Sequence, residues 1–283
     1  EKEGYDEQHL DDVSTALPLL RQFVQSAFDL GTVSLRFVKA ALQGLGEKKY
    51  HLLGNLKPVW RIVSSWERGE PVEMRTPMPF SAWRAMFATS VIWRWYAFGV
   101  LLAIGFHCLL RPGELLLLTW ADVMLSDDLT DCDGSGAVAI GRPKTRFSGG
   151  RIQHVLILCR WLGWYIAAVR DAFKPKPEDR IFPFTYACLL ARWNELLHAL
   201  SLPTAWTPSS LRAGGTTHYY RSGAHLEWIR LRGRWKVATS LEHYVQEAVA
   251  WLLQNQLSEK TKLIIKDRSD SCWLLVRASI AEL

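Results

Sequence analysis

The sequence has few cysteines and no long uncharged apolar run. Its five cysteines are odd in number and widely spread, and no two of them form a C-x-x-C pair. This pattern excludes a disulfide framework and a zinc ribbon and indicates a reducing compartment. The longest uncharged apolar run, residues 95–110, is shorter than the ~20 residues of a membrane-spanning helix and contains His107. The sequence does not start with a basic segment followed by an apolar one, as a signal peptide does, so no membrane partner is expected.

Several common catalytic motifs are also missing. The sequence contains no G-x-x-x-x-G-K-[ST], no G-x-S-x-G and no H-E-x-x-H, which excludes the usual nucleotide triphosphatase, serine hydrolase and zinc protease signatures. The segment D-C-D-G at 131–134 lacks the first acidic ligand and the distal Glu of a calcium loop, so it is interpreted as a polar turn. The sequence therefore predicts neither a metal nor a cofactor.

What is present suits a globular and modestly basic protein. The 283 residues are 49% apolar and 12% aromatic, enough to bury a sizeable core and to exclude overall disorder. Many of the 14 Trp stand at helical spacing and are expected in that core, among them Trp66, Trp161 and Trp164. The net charge is +6, which fits either an anionic partner or a solvated basic surface.

The chain is expected to form two domains. Apolar residues recur at helical spacing over 13–66 and are interrupted by glycines, which predicts three or four short helices. Residues 67–79 combine charge with three prolines, a pattern typical of a linker. We therefore predict a short helical N-terminal domain at 1–75, ending in this Pro-rich segment, and a second domain at 76–283 with a C-terminal tail from about residue 251.

The second domain is predicted to be mainly helical with one small antiparallel β-sheet. Two β-rich runs, 137–140 and 152–158, flank a basic turn at 142–151 and indicate a hairpin. Before them, Pro112 stands at the first position of a helix with Glu114 in its first turn. Arg111 is thereby placed at a helix N-terminus, a position favourable for anions.

Four motifs in this domain are informative together. They are R-P-G-E-L at 111–115, R-P-K-T-R at 142–146, T-P-S-S-L-R-A-G-G-T-T at 207–217, and L-R-G-R-W-K-V-A-T-S-L-E-H-Y at 231–244. In their order and spacing they resemble the catalytic domain of the tyrosine recombinases, also called the phage integrase family. The resemblance covers roughly residues 76–250.

The resemblance implies a set of catalytic residues. Arg111 and Arg212 resemble the two catalytic arginines of the family, and Lys144 resembles its catalytic lysine. Trp235 occupies the position that is His or Trp in the family, and Tyr244 resembles the nucleophile. A phosphodiester gains negative charge in its transition state, which paired guanidiniums stabilise. A tyrosine can form a covalent phosphotyrosine that keeps the bond energy for rejoining, and a lysine can protonate the leaving oxygen.

One position departs from the family pattern. Ser209 stands where the family usually has His, three residues before the second arginine, and this departure predicts reduced activity. Glu114 resembles the acidic residue that commonly follows the first arginine and would support it. Arg142, Arg146 and Arg151 lie in the basic hairpin and are predicted to contact DNA phosphates.

Each motif by itself also has an ordinary structural explanation. Arg111 suits a capping or surface residue, and a basic hairpin protects a sheet edge. Ser209 or Ser210 suits a helix cap, and Tyr244 suits a helical core. The four motifs together favour a site-specific DNA recombinase or integrase that cleaves and rejoins DNA through a 3′-phosphotyrosine intermediate. The alternatives are a type IB topoisomerase-like relaxase and a catalytically degenerate DNA-binding remnant.

The resemblance also implies an architecture and partners. The two domains would close as a clamp around double-stranded DNA and contact mostly phosphates. Family members act as homotetramers on two DNA sites and pass a C-terminal segment to a neighbour. The tail from about residue 251 suits this role and equally suits packing on its own domain. The expected location is intracellular with DNA, in the cytoplasm of a prokaryote or the nucleus of a eukaryote.

Overall fold

The chain divides into two compact units, Glu1–Glu73 and Met74–Leu283. The computed structural model describes residues 7–31, 33–70, 76–128, 136–141, 152–236, 241, 244–245 and 247–283. Within these residues, no helix is long and apolar enough to cross a membrane.

The described part of the first unit is helical. A 3₁₀ turn (Glu7–Leu10) precedes α1 (Val13–Leu30), α2 (Leu35–Lys48), α3 (Tyr50–Leu53) and α4 (Lys57–Gly69). Gly31 ends α1 in a left-handed conformation, and the Ser34 hydroxyl caps α2 by accepting from the Phe37 amide. Helix α4 continues to Gly69, so the first residues of the sequence-predicted linker are helical.

The second unit is mainly helical and holds a small antiparallel sheet, which confirms the predicted fold class. Its helices up to the sheet are α5 (Phe80–Ile92), α6 (Tyr96–His107) and α7 (Pro112–Leu115). The helices after the sheet are α8 (Arg160–Phe173), α9 (Tyr186–Ala199), α10 (Ser210–Arg221), α11 (Leu226–Arg232), α12 (Glu247–Asn255), α13 (Glu259–Asp270) and α14 (Cys272–Ala281).

Within the described residues, the sheet has three strands in the order β1 (Val123–Met124), β2 (Gly136–Ile140) and β3 (Gln153–Ile157). The central strand pairs antiparallel with both neighbours, with Val138 opposite Val123 on one side and Val155 on the other. The two predicted β-rich runs therefore do pair with each other. Their last described pair joins Ile140 and Gln153, next to the basic segment.

Helices α5 and α6 form the centre of the second unit. Most residues of both helices are buried, and neither helix has a distinct polar face, as expected of helices in the interior of a domain. The Trp83 indole nitrogen of α5 donates to the Leu102 carbonyl of α6 at 2.9 Å, which satisfies a polar group inside the core. The other helices and the sheet pack around this pair.

The end of the chain packs on its own domain. Helices α13 and α14 both lie against α5, and Ile265, Cys272 and Val276 are buried in the same core cluster as the residues of α5 and α6. Of the two arrangements that the sequence leaves open for the tail, these two helices adopt packing within the chain.

The prediction that the tryptophans are core residues is correct only in part. Trp66 is buried and its ring meets that of Phe28 at 5.3 Å. Trp161 and Trp164, however, are 39% and 40% exposed. They stand in the first turns of α8, where the ring of Trp161 stacks on Trp273 of α14 at 5.3 Å. Helical spacing identifies one face of a helix but does not tell which neighbouring helix covers it.

Candidate active site

The first arginine of the candidate site lies at the start of α7. The helix begins at Pro112, as the sequence predicts, and Arg111 is its N-terminal cap residue. The carboxylate of Glu114 holds Arg111 at two points, because Oε2 accepts from the Arg111 amide and Oε1 from Nη1, each at 2.9 Å. The Arg111 side chain is 25% exposed. It is therefore oriented by a carboxylate and still reaches the surface.

Glu114 also joins Arg111 to a residue far along the chain. Its Oε2 accepts from Arg234 Nη2 at 2.7 Å, and both side chains are buried. Burial alone would raise the pKa of Glu114. The charges of Arg234 and Arg111 and the hydrogen bond from the Arg111 amide outweigh that effect, so the pKa lies below its ordinary value. Glu114 is therefore a carboxylate at neutral pH.

Two glycines bring the second arginine into the site. Arg212 lies in the first turn of α10, and Gly214 and Gly215 follow it. A Cβ on Gly214 would lie 2.2 Å from the carbonyl oxygen of Met78, and one on Gly215 would lie 2.1 Å from that of Phe106. Only glycine fits at these distances, so the pair allows α10 to lie directly against the backbone of neighbouring segments.

Arg212 is almost fully buried, with 2% of its surface exposed. Its Nη1 donates to the carbonyl of Leu109 and its Nη2 to the carbonyl of Gly233. Leu109 accepts this bond from a left-handed conformation with φ 54°, which costs about 1 kcal/mol or more for a residue with a side chain. Arg212 therefore ties the turn before Arg111 to the turn before Trp235.

The electrostatic surroundings of Arg212 are strongly positive. Burial lowers the pKa of its guanidinium to about 9, and repulsion from Arg111 and Arg234 contributes to the shift, against the attraction of Glu114 and Tyr244. The group remains protonated at neutral pH. An excess of positive charge of this kind attracts anions.

Trp235 covers Arg212. The guanidinium carbon lies 4.1 Å from the centre of the indole ring, a close cation–π contact. The chain reaches this position through Gly233 and through Arg234, whose φ is 60°. A Cβ on Gly233 would lie 1.5 Å from a ring carbon of Trp235. The G-R-W motif therefore needs its glycine because the indole folds back over it.

Tyr244 completes the cluster. Its ring centre lies 5.0 Å from that of Trp235 and 5.6 Å from the guanidinium carbon of Arg212. Its carbonyl accepts from the Thr217 hydroxyl of α10 at 3.0 Å, and its side chain is half-buried. The predicted nucleophile thus stands beside Trp235 of its own motif and beside Arg212, which comes from the motif at 207–217.

Ser209 is located where α10 begins. It is the N-terminal cap residue by position, but its hydroxyl does not cap the helix. The neighbouring Ser210 hydroxyl accepts from the Thr207 amide at 3.1 Å. Among the residues that the structure describes, none forms a hydrogen bond with the Ser209 hydroxyl, so the capping explanation does not apply to this side chain.

The predictions for the basic hairpin concern residues that the structure does not describe. Lys144, the predicted acid, lies outside the described residues, and so do Arg142, Arg146 and Arg151. Their roles stay predictions. The paired strands β2 and β3 establish only where the segment starts and ends.

Sequence reasoning missed two further arginines, Arg232 and Arg234. Arg232 is buried and donates to the carbonyls of His107 at 2.7 Å and Leu156 at 2.8 Å. Its guanidinium also lies 5.1 Å from the ring centre of Tyr219. The signal was present as R-G-R directly before Trp235, but its meaning depends on contacts with distant segments. In the part of the chain that the structure describes, no group of three or more His, Cys, Asp or Glu could hold a metal ion.

Comparisons with known proteins bear on the fold. No family model matches the chain, and no curated protein matches its sequence. The crystal structure of XerH site-specific recombinase bound to difH substrate, a pre-cleavage complex, is similar over 81% of this chain and 67% of that chain, with a TM-score of 0.54 and 14% identity. XerA recombinase is similar over 85% of this chain and 90% of that chain, with a TM-score of 0.49 and 13% identity.

A second XerH structure, a post-cleavage complex with palindromic difH substrate, matches 61% of this chain and half of its own length, with a TM-score of 0.48 and 14% identity. The first XerH complex shows a shared fold, which is mainly helical with a small sheet and similar to tyrosine recombinase catalytic domains. The likeness shows the fold alone, so the activity has to be argued from the site.

Proposed function

We propose that this protein is a site-specific DNA recombinase that cleaves and rejoins DNA through a 3′-phosphotyrosine intermediate. The observation that carries the proposal is the convergence of Arg212, Trp235 and Tyr244, with ring and guanidinium distances of 4.1 to 5.6 Å. Arg111 belongs to the same electrostatic cluster, since its charge acts on the pKa of Arg212. Paired guanidiniums beside a tyrosine are the groups that phosphoryl transfer to a phenol requires.

The proposed cleavage step uses these groups in defined roles. The Tyr244 oxygen attacks the scissile phosphorus and forms a P–O bond, while the bond from phosphorus to the 5′ oxygen breaks. The guanidiniums of Arg111 and Arg212 stabilise the charge on the non-bridging oxygens. Lys144 donates a proton to the leaving 5′ oxygen, and water takes the phenolic proton. Rejoining reverses the step when a 5′ hydroxyl attacks the phosphotyrosine.

The position of Arg212 implies a local rearrangement when DNA binds. Its two terminal nitrogens, Nη1 and Nη2, each donate one N–H to a carbonyl. Among the described residues, three of the five N–H groups of the guanidinium therefore have no carbonyl partner and could bind a phosphate. Because only 2% of its surface is exposed, a phosphate reaches it only after a neighbouring group moves. Tyr244 packs beside Arg212 and is itself only half-buried, so we propose that the Tyr244 side chain shifts on binding.

The proposed partners are double-stranded DNA and further copies of the chain, as a tetramer on two DNA sites. Helices α13 and α14 are integrated into the core, so a segment passed to a neighbour would be α12. That helix exposes Val249, Trp251 and Leu252 but buries Ala250. Its contacts with its own chain include the Gln254 amide, which donates to the Ser81 hydroxyl at 3.1 Å, and Trp251, whose ring centre lies 5.2 Å from the guanidinium carbon of Arg221.

A nicked duplex tests the proposal. Cleavage close to the nick releases a short fragment, so the covalent intermediate accumulates and is detected as a protein–DNA adduct on denaturing gels. We expect an adduct that resists heat and detergent and disappears on protease treatment. Duplex binding without any adduct would indicate the degenerate remnant. An adduct formed by a monomer that relaxes supercoiled DNA without exchanging strands would indicate the relaxase.

A further inference from the structure

Arg234 is a buried arginine with one carboxylate partner. Its side chain is 6% exposed and that of Glu114 is 4% exposed. Burying one charge without the other would be costly, so the pair forms a unit. The backbone of Arg234 has a φ of 60°, which is unfavourable for a residue with a side chain. Strained backbone of this kind clusters at functional sites.

The carboxylate between Arg234 and Arg111 controls how much charge the site presents. Arg111, Arg212 and Arg234 carry three positive charges and Glu114 carries one negative charge, so the cluster has a net charge of +2. Without Arg234 the net charge would fall to +1. Glu114 would then pair with Arg111 alone and neutralise the arginine that is most exposed to a substrate phosphate.

We propose that Arg234 is a positioning residue that orients and neutralises Glu114, so that Arg111 keeps its positive charge for a phosphate. The inference deepens the proposed function and rests on it for the identity of that phosphate. Arg234 acts through Glu114 rather than by touching DNA, because its side chain is buried and its Nη1 is directed at the carbonyl of Cys108, 3.5 Å away.

A double-mutant cycle tests this role. Wild type, Arg234→Gln, Glu114→Gln and the double variant are compared for adduct formation on nicked duplex and for binding of tungstate, a tetrahedral dianion, by titration calorimetry. We expect Arg234→Gln to slow adduct formation roughly 10- to 100-fold and to weaken tungstate binding about 10-fold or more. Adding Glu114→Gln restores the net charge of +2, so the double variant recovers most of both losses.

Arg232→Gln is the matched control. Arg232 is also buried and stands two residues before Arg234, but it donates to carbonyls and to the Tyr219 hydroxyl. Its loss disturbs packing without exposing a carboxylate. Adding Glu114→Gln to Arg232→Gln is therefore expected to restore neither adduct formation nor tungstate binding.

The outcomes separate the two proposals. A double variant no better than Arg234→Gln in tungstate binding overturns the positioning role. A wild type that forms no adduct while the tungstate cycle shows the rescue contradicts the recombinase proposal and leaves the positioning role supported. If Arg234→Gln does not fold, Arg234→Lys decides, because lysine keeps the charge without the planar fork. Tungstate affinity within about 3-fold of wild type supports the role, and a loss of about 10-fold or more overturns it.

Discussion

Arg212 stands 4.1 Å from the ring centre of Trp235 and donates to the carbonyls of Leu109 and Gly233. One guanidinium thus connects the motif at 207–217 with the motif at 231–244 and with the turn just before the motif at 111–115. Its contacts are with backbone and an aromatic ring, so it holds the site together before any substrate is present. The same residue is proposed to bind phosphate, and variants at this position should reveal both roles.

The two arginines should therefore differ when each is replaced by Ala. Arg212→Ala leaves two carbonyls without their donor, at about 1–3 kcal/mol each, whereas Arg111→Ala removes a partly exposed side chain. We expect both variants to slow cleavage far more than they weaken DNA binding, and Arg212→Ala to lose much more stability. Urea denaturation and adduct rates at saturating DNA check this. If Arg212→Ala lowers the cleavage rate and the DNA affinity equally, Arg212 only positions the DNA and does not stabilise the transition state.

The close packing of α10 gives a second prediction. Gly214→Ala would place a methyl group 2.2 Å from the Met78 carbonyl oxygen, and overpacking of this kind costs roughly 1–3 kcal/mol or more. Gly113→Ala, in helix α7, meets nothing within 4 Å and should leave stability unchanged or slightly raised. The melting temperatures of both variants, measured by thermal unfolding, test this difference in stability. Similar melting temperatures would contradict the close approach of α10.

His107 should make stability dependent on pH. Burial, with repulsion from His218 and Arg232, lowers its pKa to about 3. The unfolded chain binds a proton near pH 6.5 that the folded protein does not, so stability is lost as pH falls below 6.5. Between pH 7 and pH 5 the loss from this residue is about 2 kcal/mol. Urea denaturation at pH 7 and pH 5 should show that His107→Gln loses less unfolding free energy than the wild type. If the variant and the wild type lose the same amount, His107 is not a buried neutral imidazole.

Some of this site can be predicted from the sequence, and some cannot. Pro112 sets φ for a first helical turn, and alternating β-rich runs pair with each other, so the start of α7 and the β2–β3 pairing follow from local chemistry. The ion pair of Glu114 and Arg234 joins positions 120 residues apart. Such contacts, like the exposure of Trp161, depend on how distant segments pack, and a single sequence does not specify that.

Ser209 is the position at which a gain of function is expected. A His there could take the tyrosine proton or donate to the phosphate, which a Ser hydroxyl cannot do comparably. No described residue bonds to the Ser209 hydroxyl, so no hydrogen bond to them is lost. We expect Ser209→His to speed adduct formation by up to about 10² and to add a pH dependence near neutrality. A folded variant with an unchanged rate would show that Ser209 does not occupy the catalytic position.

The central claim is that Tyr244 is the nucleophile. The tryptic peptide 237–260 contains Tyr244 as its single tyrosine, so mass spectrometry of nuclease-trimmed, trypsin-digested adduct locates the attached nucleotide. We predict that the wild type carries the nucleotide on Tyr244. The Tyr244→Phe variant should form no adduct and should bind DNA with near-normal affinity. Tyr220→Phe, at a surface tyrosine 37% exposed, is the control and should retain the adduct. A nucleotide found on any other residue, or an adduct that persists in Tyr244→Phe, would contradict the account.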